Sequence, residues 1–312
     1  MADPVAVAAL LIDAACGWPA WLYARVGHPV GAFARAIGMA ERRWNRATRS
    51  EAARRRLGLV TMVLLIGGVI VAGWAAERAA QELLGGYAWV AVAVLAWPAL
   101  AVRSLYDHVV PVARALTDAD LPAARRAVAM IVGRDTAALD EGGVARAAIE
   151  SLAESFCDGV VAPLFWLVVA GLPGLWAYKA INTADSLIGH REERWRAFGW
   201  AAARIDDGAN LVPARLAGAL VCMAGGGGWR VMVRDARRHA SPNAGWPEAA
   251  MAGVLGIALA GPVTYDGVTH DKAWIGDGGR AAATGDLWRA LAVYRRACVL
   301  LVVLAGVVAW SR

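Results

Sequence analysis

The chain has 312 residues, 59% of them hydrophobic, and a mean hydropathy of +0.46, a balance that argues against a soluble enzyme or a disordered chain and for an integral membrane protein. Its net charge of +6 comes with neither zinc-finger spacing nor an aromatic-basic RNA motif, which excludes nucleic acid as the expected partner. The expected partner is the lipid bilayer, with the excess arginine marking cytoplasmic loops and anionic headgroups.

In chain order, residues 5–23 are apolar but carry Asp13 and the break Gly17-Trp18-Pro19, which suits a membrane-associated segment. The first basic residue is Arg25, so no positive n-region marks a signal peptide and the apolar start is expected to be retained. The polar loop 25–56 holds nine arginines against Glu41 and Glu51, placing it on the cytoplasmic side. Residues 57–76 are 20 consecutive uncharged residues, enough at about 1.5 Å each to cross the hydrocarbon core. A second span over 87–102 returns the chain, with Tyr87, Trp89 and Tyr106 as interface anchors.

The polar stretch 107–158 reads as soluble helices. Asp120 is an N-cap candidate followed by Pro122, with an apolar stripe at Val128, Ile131 and Val132. The next helix, Val144 to Cys157, brings Glu150, Glu154 and Asp158 onto one face, since each four-residue step turns only about 40°. A solvated acidic stripe is the ordinary reading of that face. Its direct continuation into the apolar run 160–178 favours a site.

A span over 160–178 would put Lys179, Arg191, Arg194, Arg196 and Arg204 of the polar loop 179–210 outside, against the charge rule. The run is also interrupted by Pro163 and Pro173-Gly174, and the next, 211–224, is short for a span. Both are therefore expected to dip into the bilayer and return. Gly225 to Gly228 is a flexible break, too featureless for a phosphate loop. A dense polar loop covers 229–248, an apolar helix 249–261, a Gly- and Asp-rich loop 264–286, and a last apolar run 291–310. The expectation is an all-α integral membrane protein: one membrane-embedded domain over 1–312, a multi-pass helical bundle with re-entrant or buried helices and cytoplasmic polar motifs.

No P-loop, no glycine-rich dinucleotide fingerprint, no nucleophile elbow and no HExxH helix occur. The four cysteines, Cys16, Cys157, Cys222 and Cys298, are far apart and suggest neither a disulfide framework nor a zinc site. Carboxylates, arginines, amides and His239 remain. Carboxylates with water and phosphates hold Mg²⁺, and Arg forks match phosphate oxygens, so the inventory suits ATP-dependent phosphoryl chemistry outside a standard nucleotide fold. Glu154, Asp158, Asp185 and Asp207, each in a polar cluster bordering an apolar run, are either metal ligands or salt-bridge partners of nearby arginines.

Four long segments then carry a resemblance: ESLAESFCDGVVAPLFW (Glu150 to Trp166), YKAINTADSLIG (Tyr178 to Gly189), ARIDDGANLVPARL (Ala203 to Leu216) and HASPNAGWPEAAMAG (His239 to Gly253). With His28 to Val30 and Gly133 to Thr136 they resemble, in order, the motifs of the adenosylcobinamide-phosphate synthase family of cobalamin biosynthesis, CbiB/CobD. Two positions depart from the family pattern. Ser155 stands where Asn is usual, and Trp18 replaces the Asp of a Gly-Asp-Pro near the N-terminus.

The resemblance implies a multi-pass inner-membrane enzyme with its active site facing the cytoplasm. It would join adenosylcobyric acid to aminopropanol phosphate, or aminopropanol, through an amide, with ATP and Mg²⁺ as cofactors. An acyl phosphate on the corrin propionate, attacked by the amine, is the simplest route. Carried over by position, Glu154, Asp158, Asp185 and Asp207 take metal and nucleotide, with Glu154, Asp158, Asp207 and His239 catalytic. Arg134, Lys179, Arg204 and Arg215 contact phosphate, and His239, Ser241, Asn243 and Glu248 orient the corrin arm or the amine. His28, Asp135, Asn182 and Asn210 complete the substrate-binding set. A complex with other cobalamin-assembly enzymes is compatible with this role. Two rivals stand beside it: a transporter, which should show inverted hydropathy repeats that are not visible here, and a non-enzymatic sensor or scaffold, which would be expected to lose the motifs at 150–158 and 239–248.

Overall fold

The computed structural model describes residues 4–190, 192–265, 267–277 and 280–311. Met1 to Asp3, and Arg191 of the expected loop 179–210, lie outside them. In chain order the helices are α1 (Val5–Cys16), α2 (Ala20–Val26), α3 (Val30–Trp44), α4 (Glu51–Leu84), α5 (Ala88–Ala96), α6 (Val102–Thr117), α7 (Leu121–Ala129), α8 (Glu141–Phe156), a π turn (Cys157–Val161), α9 (Ala162–Ile188), α10 (Glu193–Arg196), α11 (Trp200–Ala209), α12 (Leu211–Gly225), α13 (Trp229–Asp235) and α14 (Gly245–Leu255). Strands β1 (Leu259–Ala260), β2 (Val263–Tyr265), β3 (Val268–His270) and β4 (Trp274–Ile275) precede the last helix, α15 (Thr284–Ser311). The protein is an all-α multi-pass membrane protein: three stretches, Glu51–Thr117, Glu141–Ile188 and Thr284–Ser311, are long and apolar enough to cross a membrane. The helix pairs Val5–Cys16 with Ala20–Trp44 and Trp200–Ala209 with Leu211–Gly225 are bent by 104° and 49°, the geometry of broken spans or re-entrant loops.

The chain divides into two compact units. The first takes residues 1–101, 162–210 and 305–312. Its long helix α4 starts at Ser50, whose hydroxyl accepts from Ala53 N at 3.3 Å, and packs one face on Ile37, Ile181, Ile188 and Phe198 through Met62. The other face leaves Val63 and Leu64 61% and 62% exposed, a surface that suits hydrocarbon rather than water. Within α9 the backbone leaves helical geometry at Ala170 and Gly171, the latter with φ +63°. Glu77 of α4 meets this break, its Oε1 accepting from Leu172 N at 2.6 Å, so the first N–H of the restarted helix keeps a partner in apolar surroundings.

The second unit takes residues 102–161 and 211–304. Phe156 and Tyr294 pack edge to face at 5.6 Å, and Tyr294 donates its hydroxyl to Val102 O at 2.7 Å. Small residues let α14 approach its neighbours: a Cβ on Gly253 would stand 2.8 Å from Gly228 Cα. Asp120 caps α7 as its sequence suggests, Oδ1 accepting from Ala123 N at 2.9 Å.

Several expected boundaries move. The loop 25–56 is largely helical, because Phe33, Ile37 and Trp44 carry a helical apolar stripe onto which the arginine-rich α3 folds. The loop 179–210 is also largely helical, as α9 continues to Ile188 and α11 follows. The run 160–178 leaves helical geometry at Ala170 and Gly171, just before the Pro173-Gly174 pair that marks an interruption in sequence, whereas the chain stays helical at Pro163, which follows the π turn directly. The helix expected over 249–261 ends at Gly256, in a left-handed conformation at φ +67°, and gives way to β1. The loop 264–286 takes part in antiparallel ladders, β4 pairing with β1 and β3 with β2, the latter in register Val263 with His270. The dipeptide Asp266-Gly267 between Val-Thr-Tyr and Val-Thr-His is the hairpin signal that the loop reading passes over; Asp266 itself lies outside the described residues.

Gly58 of α4 is buried against Phe198, where a Cβ would lie 1.9 Å from the carbonyl oxygen, whereas a Cβ on Gly67 meets nothing within 4 Å. Gly58→Val should therefore destabilise the purified protein by about 1–3 kcal/mol or more through overpacking, and Gly67→Val should leave it near wild type, as read by thermal unfolding in detergent.

Candidate functional site

The site in the second unit is built around Glu150. Helix α8 begins at Asp140, whose Oδ1 accepts from Gly143 N at 2.7 Å, and carries Glu150 inward to 4% exposure. Its Oε2 pairs with Arg134, its Oε1 accepts from Ala260 N at 2.6 Å, and Arg146 Nε lies 3.9 Å from Oε1. One carboxylate thus ties the turn after α7 to α8 and β1. Asp135 fixes the same turn: its N–H donates to Thr264 O at 3.0 Å, and its Oδ2 accepts from Gly267 N at 2.8 Å.

These elements enclose a cavity of about 240 Å³ whose lining includes Arg134, Glu150, Glu154, His239, Glu248 and Lys272. It is smaller than the roughly 300–1,000 Å³ of drug-sized sites, so it admits a small molecule or the end of a side arm rather than a whole macrocycle. Glu154 is exposed to it, and Asp158 follows on the π turn, close enough to share its field. The acidic stripe of α8 is therefore half site wall and half buried ion pair, not a solvated face. Arg134 Nη1 is buried without an acceptor among the described residues, a donor left over for an incoming anion.

The segment 239–248 folds on itself to aim two groups at that cavity. His239 Nδ1 accepts from Ser241 N at 3.0 Å, and Ser241 Oγ accepts from Asn243 N at 3.2 Å and Ala244 N at 3.3 Å. Arg215 donates to Asn243 Oδ1 at 3.1 Å and lies 4.6 Å over the Trp246 ring. Gly245 permits the fold, since a Cβ there would stand 2.1 Å from Ala236 O and 2.7 Å from His239 Cβ. With its Nδ1 lone pair taken, neutral His239 carries its proton on Nε2, which faces Glu248 Oε1 at 3.7 Å. Burial and then Lys272 hold the imidazole below its ordinary value. Burial, reinforced by Glu150 and Glu154, pushes Glu248 well above the usual carboxylate range.

A second polar cluster lies in the first unit. Tyr178 donates to Asn210 Oδ1 at 2.9 Å, and Asn210 Nδ2 donates to Asp206 Oδ2 at 3.0 Å. Arg204 pairs with Asp207 at 3.2 Å, while Asp185 feels the charges of Asp207 and His190. His28 accepts from Val30 N at 3.3 Å and feels Lys179; Asn182 follows Lys179 on α9. Of the residues predicted from sequence, the second unit holds Arg134, Asp135, Glu154, Asp158, Arg215, His239, Ser241, Asn243 and Glu248. The first holds His28, Lys179, Asn182, Asp185, Arg204, Asp207 and Asn210. Among the described residues no three His, Cys, Asp or Glu side chains gather as a metal-ligating group.

A family model described as CobD/Cbib protein matches residues 6–294. The chain belongs to the CobD/Cbib family. Relatives named Cobalamin biosynthesis protein CobD include one from Rhodobacter capsulatus, 50% identical over 98% of this chain and 97% of its own length. One from Sinorhizobium sp is 48% identical over 94% of each chain, and one from Brucella suis biovar 1 is 47% identical over 92% of this chain and 90% of its own. No solved structure matches.

Membership of the CobD/Cbib family accounts for the order of the motifs, but three residues of the cavity region were not chosen from them. Glu150 was read as one of a stripe rather than as its anchor. Arg146, whose guanidinium lies 4.9 Å over Trp274 and against Glu150, lies outside the segments that carry the resemblance. Lys272 lines the cavity from the strand-rich segment. Its signal was compositional: in a chain with two lysines among 32 basic residues, a Lys kept where Arg is the habit marks a position that does not accept a fork.

Removing the Glu150 carboxylate strands Arg134 in a site where its side chain is 12% exposed. Glu150→Ala should cost about 3–5 kcal/mol of stability, and Glu150→Ala combined with Arg134→Met should recover part of it, as measured by thermal unfolding in detergent.

Proposed function

We propose that the protein makes the amide bond between the propionate of adenosylcobyric acid and aminopropanol phosphate, or aminopropanol, in cobalamin biosynthesis, at the inner membrane with its site towards the cytoplasm. The observation that carries this reading is the small mixed-charge cavity of the second unit, in which Arg134 and Lys272 share a wall with Glu154, Glu248 and His239. A zwitterionic amine with a phosphate needs both signs of charge within a few ångströms, and the carboxyl end of a corrin arm needs the cations. The curated relatives' common name supports the pathway.

Forming an amide from a carboxylate requires activation, which ATP with Mg²⁺, when bound, would supply as phosphorylating power, ADP and then phosphate leaving as the amine bonds to the acyl carbon. The residues fit such groups: Glu154 is a carboxylate on the cavity with Asp158 near it, and Mg²⁺ usually takes one or two carboxylates with phosphate oxygens and water. Arg134 Nη1, buried without an acceptor among the described residues, and Lys272 are donors for phosphate oxygens. The amine must lose its proton before it attacks. Because His239 Nε2 already bears a proton, Glu248, raised by burial, is the better base, and His239 positions its carboxylate.

Detergent-purified protein given adenosylcobyric acid, aminopropanol phosphate, Mg²⁺ and ATP should add to the corrin the mass of the amine less water, only with ATP present. Corrin binding by folded protein with no mass gain from either amine would favour a sensor or scaffold.

The pH profile separates the two candidate bases. Glu248 acts in its ionised form, so the rate should fall as pH drops through a value well above the 4.5 of an ordinary glutamate. Glu248→Gln should abolish turnover, while His239→Gln should lower the rate and keep an acid limb. Loss of the limb in His239→Gln with its retention in Glu248→Gln would make His239 the base.

A further inference from the structure

The first unit holds another cavity, about 500 Å³ in volume, that the proposed chemistry does not use. Its wall is almost wholly apolar and rich in aromatic rings, with Trp18, Phe33, Trp97 and Trp176 around it and Lys179 as its charged member. The helices that contribute to it, α2, α3, α5 and α9, all belong to stretches apolar enough for a bilayer. Two of the indoles are satisfied by the backbone: Trp97 Nε1 donates to Gly17 O at 3.0 Å and Trp176 Nε1 to Leu95 O at 3.3 Å. Trp18 differs. Its Nε1 is buried without an acceptor among the described residues, while its ring packs 5.1 Å from His28 and 5.3 Å from Trp97. Helix α3, which gives Val30 and Phe33 to the wall, continues into Arg35, Arg42 and Arg43, with Arg46 and Arg49 after it.

An apolar volume within the roughly 300–1,000 Å³ of ligand sites, built from membrane-compatible helices and with one cation in its wall, selects an amphiphile with a negative head. We propose that this cavity binds an anionic phospholipid, one acyl chain lying among the tryptophans and the phosphate drawn to Lys179. A zwitterionic lipid offers the same chain but less net charge to Lys179 and the basic stretch that follows α3. This assignment does not depend on the proposed reaction.

The test uses the full chain in nanodiscs of phosphatidylcholine containing a minority of phosphatidylglycerol, with bound lipid counted by native mass spectrometry. Phosphatidylglycerol should be retained well above its share of the bilayer. Lys179→Gln should weaken that retention about fivefold, the effect of one cation near the surface. Val94→Trp, which puts a large ring at a cavity-lining position 45% exposed, should remove the bound lipid while the protein stays monodisperse. Retained lipid that mirrors the bilayer, or equal retention by both variants, would overturn the proposal. So would stoichiometric displacement of phosphatidylglycerol by adenosylcobyric acid, which would assign the cavity to substrate.

Discussion

The buried carboxylate of Glu150 is the interaction on which the second unit's site depends. It takes Arg134 from the turn after α7, a backbone N–H from β1 and the approach of Arg146 from its own helix. The strands are only two or three residues long and cannot hold themselves by ladder bonds, so Glu150, together with the hydrogen bonds of Asp135 to Thr264 and Gly267, keeps them against the turn. Burying a charge is tolerated here because every oxygen is used, and the arrangement leaves an arginine nitrogen over at the cavity wall. The ion pair thus ties three segments together and leaves one donor over.

The same economy governs the apolar segments. In α9 the chain breaks at Ala170 and Gly171, and a carboxylate from α4, Glu77, meets the N–H that the break exposes. That restarted helix carries Tyr178, Lys179, Asn182 and Asp185 in succession, so the placement of the first unit's polar cluster follows from one interhelical hydrogen bond.

Much of this was legible in the residues. The span over 57–76 could be read because 20 uncharged residues leave few alternatives, and the cap at Asp120 because its chemistry is local. The segments around Glu154, Asp158 and His239 were legible as motifs, and the structure brings Glu154, His239 and Glu248 to one cavity. What escaped reading depends on distant segments converging. Lys272 reaches the cavity from a hairpin region that looked like a loop, and Glu150 is an anchor only because Arg134 and Ala260 arrive from elsewhere. Of the two interruptions that the sequence marks in 160–178, Pro173-Gly174 lies beside the break at Ala170 and Gly171, while Pro163 follows the π turn and stays helical. The arginine-rich stretch 25–56 reads as a loop because its charge density hides the apolar stripe of α3.

The central claim is that the small substrate is held in the cavity of the second unit. Equilibrium binding of radiolabelled aminopropanol phosphate to the detergent-purified protein tests it most directly, comparing Lys272→Met and Glu154→Gln with Arg204→Met in the first unit. Saturable binding that is lost in the first two variants and kept in the third is the expected result. Binding that survives both cavity variants and disappears with Arg204→Met would contradict the account and move the substrate to the other polar cluster.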